Sequence, residues 1–229
     1  MGKYPNYAVL MAAGNGQRMK ELTVNIPKAL VDVKGIPLLS YSLTQLDQKI
    51  DSISITVGHK KNELIKFLAS NQKYQIIDTS YKGNSWWVFN SSLKYINEPV
   101  LVLTCDIITF LDIPFIFSNY INIGSPPCMI VPVRPVSGID GDYIKEKDRM
   151  VLSLSRTKRT SIYCSGIQII NPYIINKHIA KHEDFNQIWS VLIDKNMLYV
   201  SDLYPHPWFS INTKEQLVKY LEKQNSYTP

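Results

Sequence analysis

Tyr7-Ala8-Val9-Leu10-Met11-Ala12-Ala13-Gly14-Asn15-Gly16-Gln17-Arg18-Met19 is the stretch on which the fold turns. Its first seven residues form an apolar run that stops at a glycine. A half-exposed strand would alternate, so an unbroken run reads as a strand covered on both faces, as in a parallel sheet. Working outward, Ser52-Ile53-Ser54-Ile55-Thr56-Val57 alternates polar and apolar residues up to Gly58 and predicts a second strand. Asn62 to Ser70 has apolar residues at 64, 65 and 68 with Asn62 placed as a cap, which predicts a helix. Val100 to Leu103 is another buried run, ending in Thr104-Cys105-Asp106. Cys128 to Val133 and Ser165 to Ile170 read as later strands, and 185–194 and 214–223 as helices. The polar span Asp140 to Arg149 reads as a surface hairpin or loop. Strands alternating with helices predict a doubly wound α/β sheet.

The totals fit one compact unit over 1–229. Of its 229 residues, 45% are hydrophobic and 19% charged, which is ordinary for a globular chain with a full core. The excess of 25 Lys+Arg over 19 Asp+Glu suits anionic ligands. The basic residues are scattered rather than gathered, which favours small anions over nucleic acid. Cys105, Cys128 and Cys164 lack metal-ligand spacing and leave an odd thiol, as in a reducing cytoplasm. No apolar stretch approaches the ~18 residues of a membrane span, and no signal-peptide pattern precedes the first strand. A soluble cytoplasmic protein with no membrane partner is the expectation.

Open α/β sheets bind ligands beyond the carboxyl ends of their strands. The first such end here is the loop Ala12-Ala13-Gly14-Asn15-Gly16, whose glycines let backbone N–H groups approach phosphate oxygens. Arg18 adds a planar, permanently charged fork, and Lys28 follows in Pro27-Lys28-Ala29-Leu30. Met19 stands where the dinucleotide fingerprint needs its third glycine, and no Gly-Lys-Ser/Thr is present for a Walker loop. The histidines at 59, 178, 182 and 206 have no metal-binding spacing, and no Gly-x-Ser-x-Gly elbow supports hydrolase chemistry.

Ala-Ala-Gly-x-Gly-x-Arg-Met with Pro-Lys-Ala-Leu resembles the fingerprint of the sugar-phosphate nucleotidyltransferases. The resemblance continues through Val31 to Leu39, through Val57-Gly58-His59-Lys60, and through Leu101 to Asp106, where Gly-Asp is more usual. Trp208-Phe209-Ser210-Ile211-Asn212-Thr213-Lys214-Glu215-Gln216-Leu217 resembles the closing Trp-x-Asp-Ile-x-Thr-x-Glu-x-Leu motif. The family implies a Rossmann-like mixed sheet flanked by helices, of the nucleotide-diphospho-sugar transferase type. It also implies Mg²⁺, an NTP, and a phosphorylated sugar or small alcohol or amine as acceptor, in the setting of cell-surface polysaccharide biosynthesis. A homodimer is left open. The Ala-Ala-Gly variant and the short chain are most similar to LicC-type phosphocholine cytidylyltransferases and MurNAc-1-phosphate uridylyltransferase-like enzymes.

The resemblance assigns the roles. Arg18 would hold the leaving pyrophosphate, and Lys28 would bridge the α-phosphate and the acceptor phosphate. Such chemistry asks the protein mainly for positioning and charge stabilisation. Ala12, Ala13, Gly14, Asn15 and Gly16 would cradle the nucleotide, while Gly83, Asn84 and Ser85 would read the base edge. Asn84 and Ser85 both donate and accept, so they do not separate cytosine from uracil; CTP is placed slightly ahead of UTP. Asp106 would hold Mg²⁺, which prefers carboxylates together with phosphate oxygens. Ser210 stands where the motif usually carries a second metal aspartate. Water completing the shell, a carbonyl lent by Asn212, and lost activity are the three readings, the first preferred. Tyr163, Gly166 and Lys158 would meet the acceptor, with Arg156 and Arg159 near Lys158. Trp86, Trp87, Tyr163 and Trp208 offer an aromatic box for a quaternary ammonium as the lesser reading. The rivals are a GT-A glycosyltransferase, which needs an Asp-x-Asp absent at 104–108, and an inactive nucleotide-binding regulator.

Overall fold

A computed structural model describes residues 4–69 and 73–225. The first half of the chain runs β1 (Tyr7–Met11), β2 (Asp32–Val33), β3 (Ile36–Pro37), α1 (Ser40–Asp47), β4 (Ser52–Val57), α2 (Lys61–Leu68), β5 (Gln75–Asp78), α3 (Trp86–Asn90) and β6 (Val100–Thr104). Then come β7 (Ile107–Thr109), α4 (Ile113–Asn122), β8 (Cys128–Val133), β9 (Tyr143–Lys147), β10 (Met150–Ser155) and β11 (Tyr163–Ile170). The chain closes with α5 (Pro172–His178), α6 (Phe185–Asp194), β12 (Leu198–Val200), β13 (Trp208–Ser210) and α7 (Lys214–Asn225).

Among the described residues, one nine-stranded mixed sheet has the order β5-β4-β1-β6-β11-β8-β12-β10-β9. β5, β4, β1 and β6 are mutually parallel, and β11 runs antiparallel to both β6 and β8. Helices cover both faces, which is why the strand sequences are continuously apolar. Leu10, Leu101 and Leu103 pack with Leu39, Leu43 and Ile113 on one side. Val9, Val100 and Val102 pack with Trp87, Phe89 and Ile188 on the other. The architecture is the Rossmann-like α/β sheet that the sequence implied.

The second strand is found as expected over Ser52–Val57, with its polar side chains inside: Ser54 and Thr56 are 1% and 2% exposed. The Thr56 hydroxyl accepts from Ala12 N–H at 3.1 Å, so the polar atom is satisfied beneath the site. Three other local expectations change. Helix α2 begins at Lys61, after a left-handed Lys60, so Asn62 lies in the first turn rather than at the cap; Ser70 lies outside the described residues. The span 140–149 is a hairpin in part, but β9 and β10 extend it and join the main sheet through β12 and β11. β11 starts at Tyr163, two residues early. No helix of the described residues is long and apolar enough to cross a membrane.

Candidate active site

The chain leaves β1 and turns to β4 and β5 on one side, then returns to β6 on the other. The carboxyl ends of β1 and β6 therefore flank the switch point where such sheets leave room for a ligand. Cys105 N–H donates to Met11 O at 3.1 Å and fixes the two ends together. The loop after β1 is shaped by Gly16, whose left-handed φ of 62° a side chain resists. A Cβ there would also press on the Lys28 Cβ at 3.0 Å, so this glycine lets Lys28 pass close under the loop. Lys60 Nζ donates to the carbonyls of Thr23 and Val24 and pins the far end of the same loop. Among the described residues, the N–H groups of Ala13, Gly14, Asn15 and Gly16 have no partner within the chain, which leaves them free for an anion.

Asp106 follows β6, and the ribbon of β7 with β13 carries the closing motif back beside it. Ile211 N–H donates to Asp106 O at 2.9 Å. This pairing places Asn212 against residues almost 200 positions away. Lys28 Nζ lies 2.7 Å from Asp106 Oδ2 and 2.7 Å from Asn212 Oδ1. Arg18 donates to the same Oδ1 at 3.0 Å. Two cations on one side fix the amide orientation, and Asn212 Nδ2 turns to Ser210 Oγ at 2.6 Å. The Lys28 and Asp106 side chains are 13% and 14% exposed. Burial raises the carboxyl pKa of Asp106, but the Lys28 ammonium and hydrogen bonds from Lys28 and Thr104 outweigh it. The carboxyl is held below its ordinary value and stays anionic.

Two cavities meet along Met11, Asn84, Thr104 and Asp106. One, toward β4 and β5, is lined by Ala13, Gly14, Lys28, Lys82 and Gly83. The other, over β11, is lined by Arg18, Asp140, Asp142, Arg156, Gly166 and Trp208, and also by Trp189 and Gln216. Arg18 lines the second cavity, its guanidinium on Asn212 Oδ1. Asn15, with Ala13 and Gly14 of the same loop, also lines a third, lysine-rich cleft with Lys20, Lys60 and Lys82.

Several expected ligand contacts are structural instead. Ala12 is 2% exposed, and its N–H goes to Thr56. Ser85 is fully buried: its N–H donates to Glu183 O and its hydroxyl to His182 O. Gly83 is needed because a Cβ would stand 1.9 Å from Glu183 O, a backbone approach no other residue permits. Asn84 caps Phe185 N–H through Oδ1 at 2.9 Å and alone of the three borders both cavities. Tyr163 is buried, its OH accepting from Val136 N–H at 3.0 Å, so it packs rather than binds. Lys158 lines neither cavity; Arg156 does, paired with Asp142 at 3.1 Å. The aromatic box does not form, since Trp87 and Tyr163 are buried, and of the four only Trp208 lines the β11 cavity. Gly166 sits at the irregular register of β11 against β8, beside Thr104 Oγ1. Asp140, Asp142, Trp189 and Gln216 were not foreseen, and only Gln216 had a sequence signal, as the fourth residue of Thr213-x-x-Gln216.

Residues 8–121 match the MobA-like NTP transferase domain. A 115-residue stretch is 30% identical to the bifunctional protein GlmU of Methanococcus vannielii, covering 50% of this chain and 28% of that protein. The chain thus spans between 25% and 36% of the length of the curated relatives it matches. The inositol-1-phosphate CTP transferase from T. maritima superposes with a TM-score of 0.78 at 15% identity over 98% of each chain. The CTP:phosphocholine cytidylyltransferase LicC from Streptococcus pneumoniae superposes at 0.75 with 19% identity, over 96% of this chain and 99% of that one. At these identities the superpositions establish the fold.

Proposed function

We propose, on the premise that residues 8–121 belong to the MobA-like NTP transferase family, that the whole chain is one nucleotidyltransferase domain. It transfers the NMP of an NTP to a phosphorylated small molecule and releases pyrophosphate. The observation that carries this reading is Lys28 Nζ, 2.7 Å from Asp106 Oδ2 at the seam of the two cavities. An acceptor phosphate oxygen attacks the α-phosphorus; the new P–O bond forms as the bond to the bridging β-phosphate oxygen breaks. The acceptor phosphate is largely dianionic near neutral pH, so no general base is required. Lys28 stands where α-phosphate and acceptor phosphate meet, and Arg18 steadies their charge from the acceptor side. The N–H groups of the glycine loop hold the remaining phosphates, and Asn84 borders base and acceptor alike.

The site fits a divalent cation. One ammonium already lies between a carboxylate and an amide oxygen, each at 2.7 Å. Mg²⁺ takes oxygen ligands of this kind with one or two carboxylates and keeps several waters. Asp106 would hold it, with the Asn212 carbonyl at the same point, and the ion would supply charge neutralisation on the phosphates. An NTP of pyrimidine type, CTP ahead of UTP, follows from the resemblance to the Ala-Ala-Gly branch.

A second reading, a cationic acceptor such as phosphocholine, is favoured by the Asp140 carboxylate in the acceptor-side cavity, near Trp189 and Trp208. Asp140 forms no ion pair among the described residues. The test is a matrix of four NTPs against sugar-1-phosphates, phosphocholine and related phosphates, read as pyrophosphate release. Release with CTP or UTP and one acceptor class is expected. Release only with GTP or ATP removes the pyrimidine assignment, and no release with any pair removes the activity.

A further inference from the structure

The closing helix α7 opens on a reciprocal cap. Thr213 N–H donates to Gln216 Oε1 at 3.2 Å, and Gln216 N–H donates to Thr213 Oγ1 at 3.2 Å. This Thr-x-x-Gln box satisfies two otherwise orphaned helix donors. The same Oε1 also accepts from Asn212 N–H at 2.7 Å. The other end of the amide, Nε2, donates to Gly138 O at 2.9 Å. Gln216 is 7% exposed, and its side-chain amide bonds three backbone groups on two segments. Two N–H donors on one end and a carbonyl on the other decide its orientation.

Those two segments wall the same cavity at different points, one at the cations and one at the loop. Asn212 accepts from both Arg18 and Lys28. Gly138 lies in the 136–142 loop, whose Asp140 and Gly141 wall the acceptor-side cavity. Lys219 Nζ, one turn further along α7, donates to Ser137 O at 2.6 Å and anchors the same loop. Ile139 packs with Met19, Ile211 and Leu217, so the loop, the Arg18 segment and the closing motif share one small core.

We propose that Gln216 is a positioning residue that couples the acceptor-side loop to Asn212, and through it to the two cations. The proposal rests on the nucleotidyltransferase reading, because that reading supplies the acceptor. When the loop moves to admit an acceptor, the pull on Gly138 reaches the oxygen that holds Arg18 and Lys28. Acceptor binding and cation placement are then linked through one side chain.

Gln216→Glu separates the two ends of the amide. Glutamate keeps an oxygen for Asn212 and Thr213 N–H and serves the helix cap equally well, but it replaces the donor to Gly138 O with a carboxylate oxygen that repels it. The acceptor KM is expected to rise about tenfold, the scale of one lost buried hydrogen bond, with the NTP KM unchanged. Hydrogen exchange, which needs no substrate, should quicken across 136–142 while 213–217 keeps its protection. Gln216→Ala, which loses both ends, should lower kcat as well, and it serves for the exchange measurement if the glutamate variant fails to fold. Unchanged exchange of the loop in both variants would overturn the coupling, as would equal shifts in acceptor and NTP KM. A wild type that releases no pyrophosphate would instead sink the activity reading, with the exchange result still deciding the coupling.

Discussion

The two cavities that meet at Asp106 are built in opposite ways. The nucleotide-side lining runs from Met11 to Asp106, on loops that follow parallel strands, and it falls wholly within the matched residues 8–121. The acceptor-side lining takes Met11, Arg18, Asn84, Thr104 and Asp106 from that stretch, and the rest from β8, the 136–142 loop, Arg156, β11, α6 and the closing motif. Short loops after parallel strands fix backbone geometry locally, whereas the other wall depends on antiparallel pairings between distant segments. On the proposed reading the first cavity takes the NTP and the second the acceptor. Substitutions on the two sides should therefore separate in kinetics.

The largest loss is expected at the seam. Asp106→Ala should lower kcat/KM by at least ~1,000-fold for every acceptor, since it removes both the carboxylate proposed for the metal and the partner of Lys28. An enzyme retaining full activity without this carboxylate would break the comparison at its centre. Lys28→Ala should cost roughly as much, in turnover more than in nucleotide affinity, because this lysine is assigned to the reacting phosphates. Collapse of NTP affinity with single-turnover chemistry intact would reduce Lys28 to a binding residue of the nucleotide side.

Arg18→Ala should lower kcat/KM by at least ~100-fold, the usual effect of losing a preorganised charge donor. Its loss should fall on all acceptors, because Asn212 and Lys28 lose their neighbour too. Activity within a few fold of wild type would remove Arg18 from the chemistry. Arg156→Ala should act on one side only: about a tenfold rise in the KM of a sugar phosphate, with the NTP KM unmoved. Its side chain is 68% exposed and already shares Asp142, which limits the effect. A rise in the NTP KM as well would show that the cavities are not separate in function.

The same contrast explains what could be read from the chain. The first strand, the Arg18 and Lys28 segments and Asp106 were legible because an apolar run and its following loop occupy adjacent residues. Asp106 and Asn212 were each visible, but their meeting depends on β7 pairing with β13, a contact across about a hundred residues that no local period encodes. Tyr163 and Ser85 were misread for a related reason. A polar atom next to a motif looks available until a distant backbone group, Val136 N–H or His182 O, is seen to occupy it. Lys158 and Arg156 are two residues apart, and only the course of the chain after β10 decides which one reaches the cavity.

Ser210 provides the smallest effect and the finest test, because it lies in the acceptor-side lining beside Asn212 without carrying charge. It is 6% exposed, and its oxygen accepts from Asn212 Nδ2 at 2.6 Å. That amide is held independently by Arg18, by Lys28 and through its backbone by Gln216. Losing one of several restraints should matter little, so Ser210→Ala is expected to keep activity within about threefold. Ser210→Asp differs in kind. It adds an anionic oxygen beside the Asn212 amide, near the carboxylate of Asp106, and Mg²⁺ favours anionic oxygen over a neutral hydroxyl. The Mg²⁺ concentration for half-maximal rate should fall in this variant, read from a titration at saturating NTP. If that midpoint stays fixed while activity is retained, the metal does not sit between Asp106 and the closing motif. A tenfold loss in Ser210→Ala would instead make the hydroxyl a working member of the site, acting through the Asn212 amide.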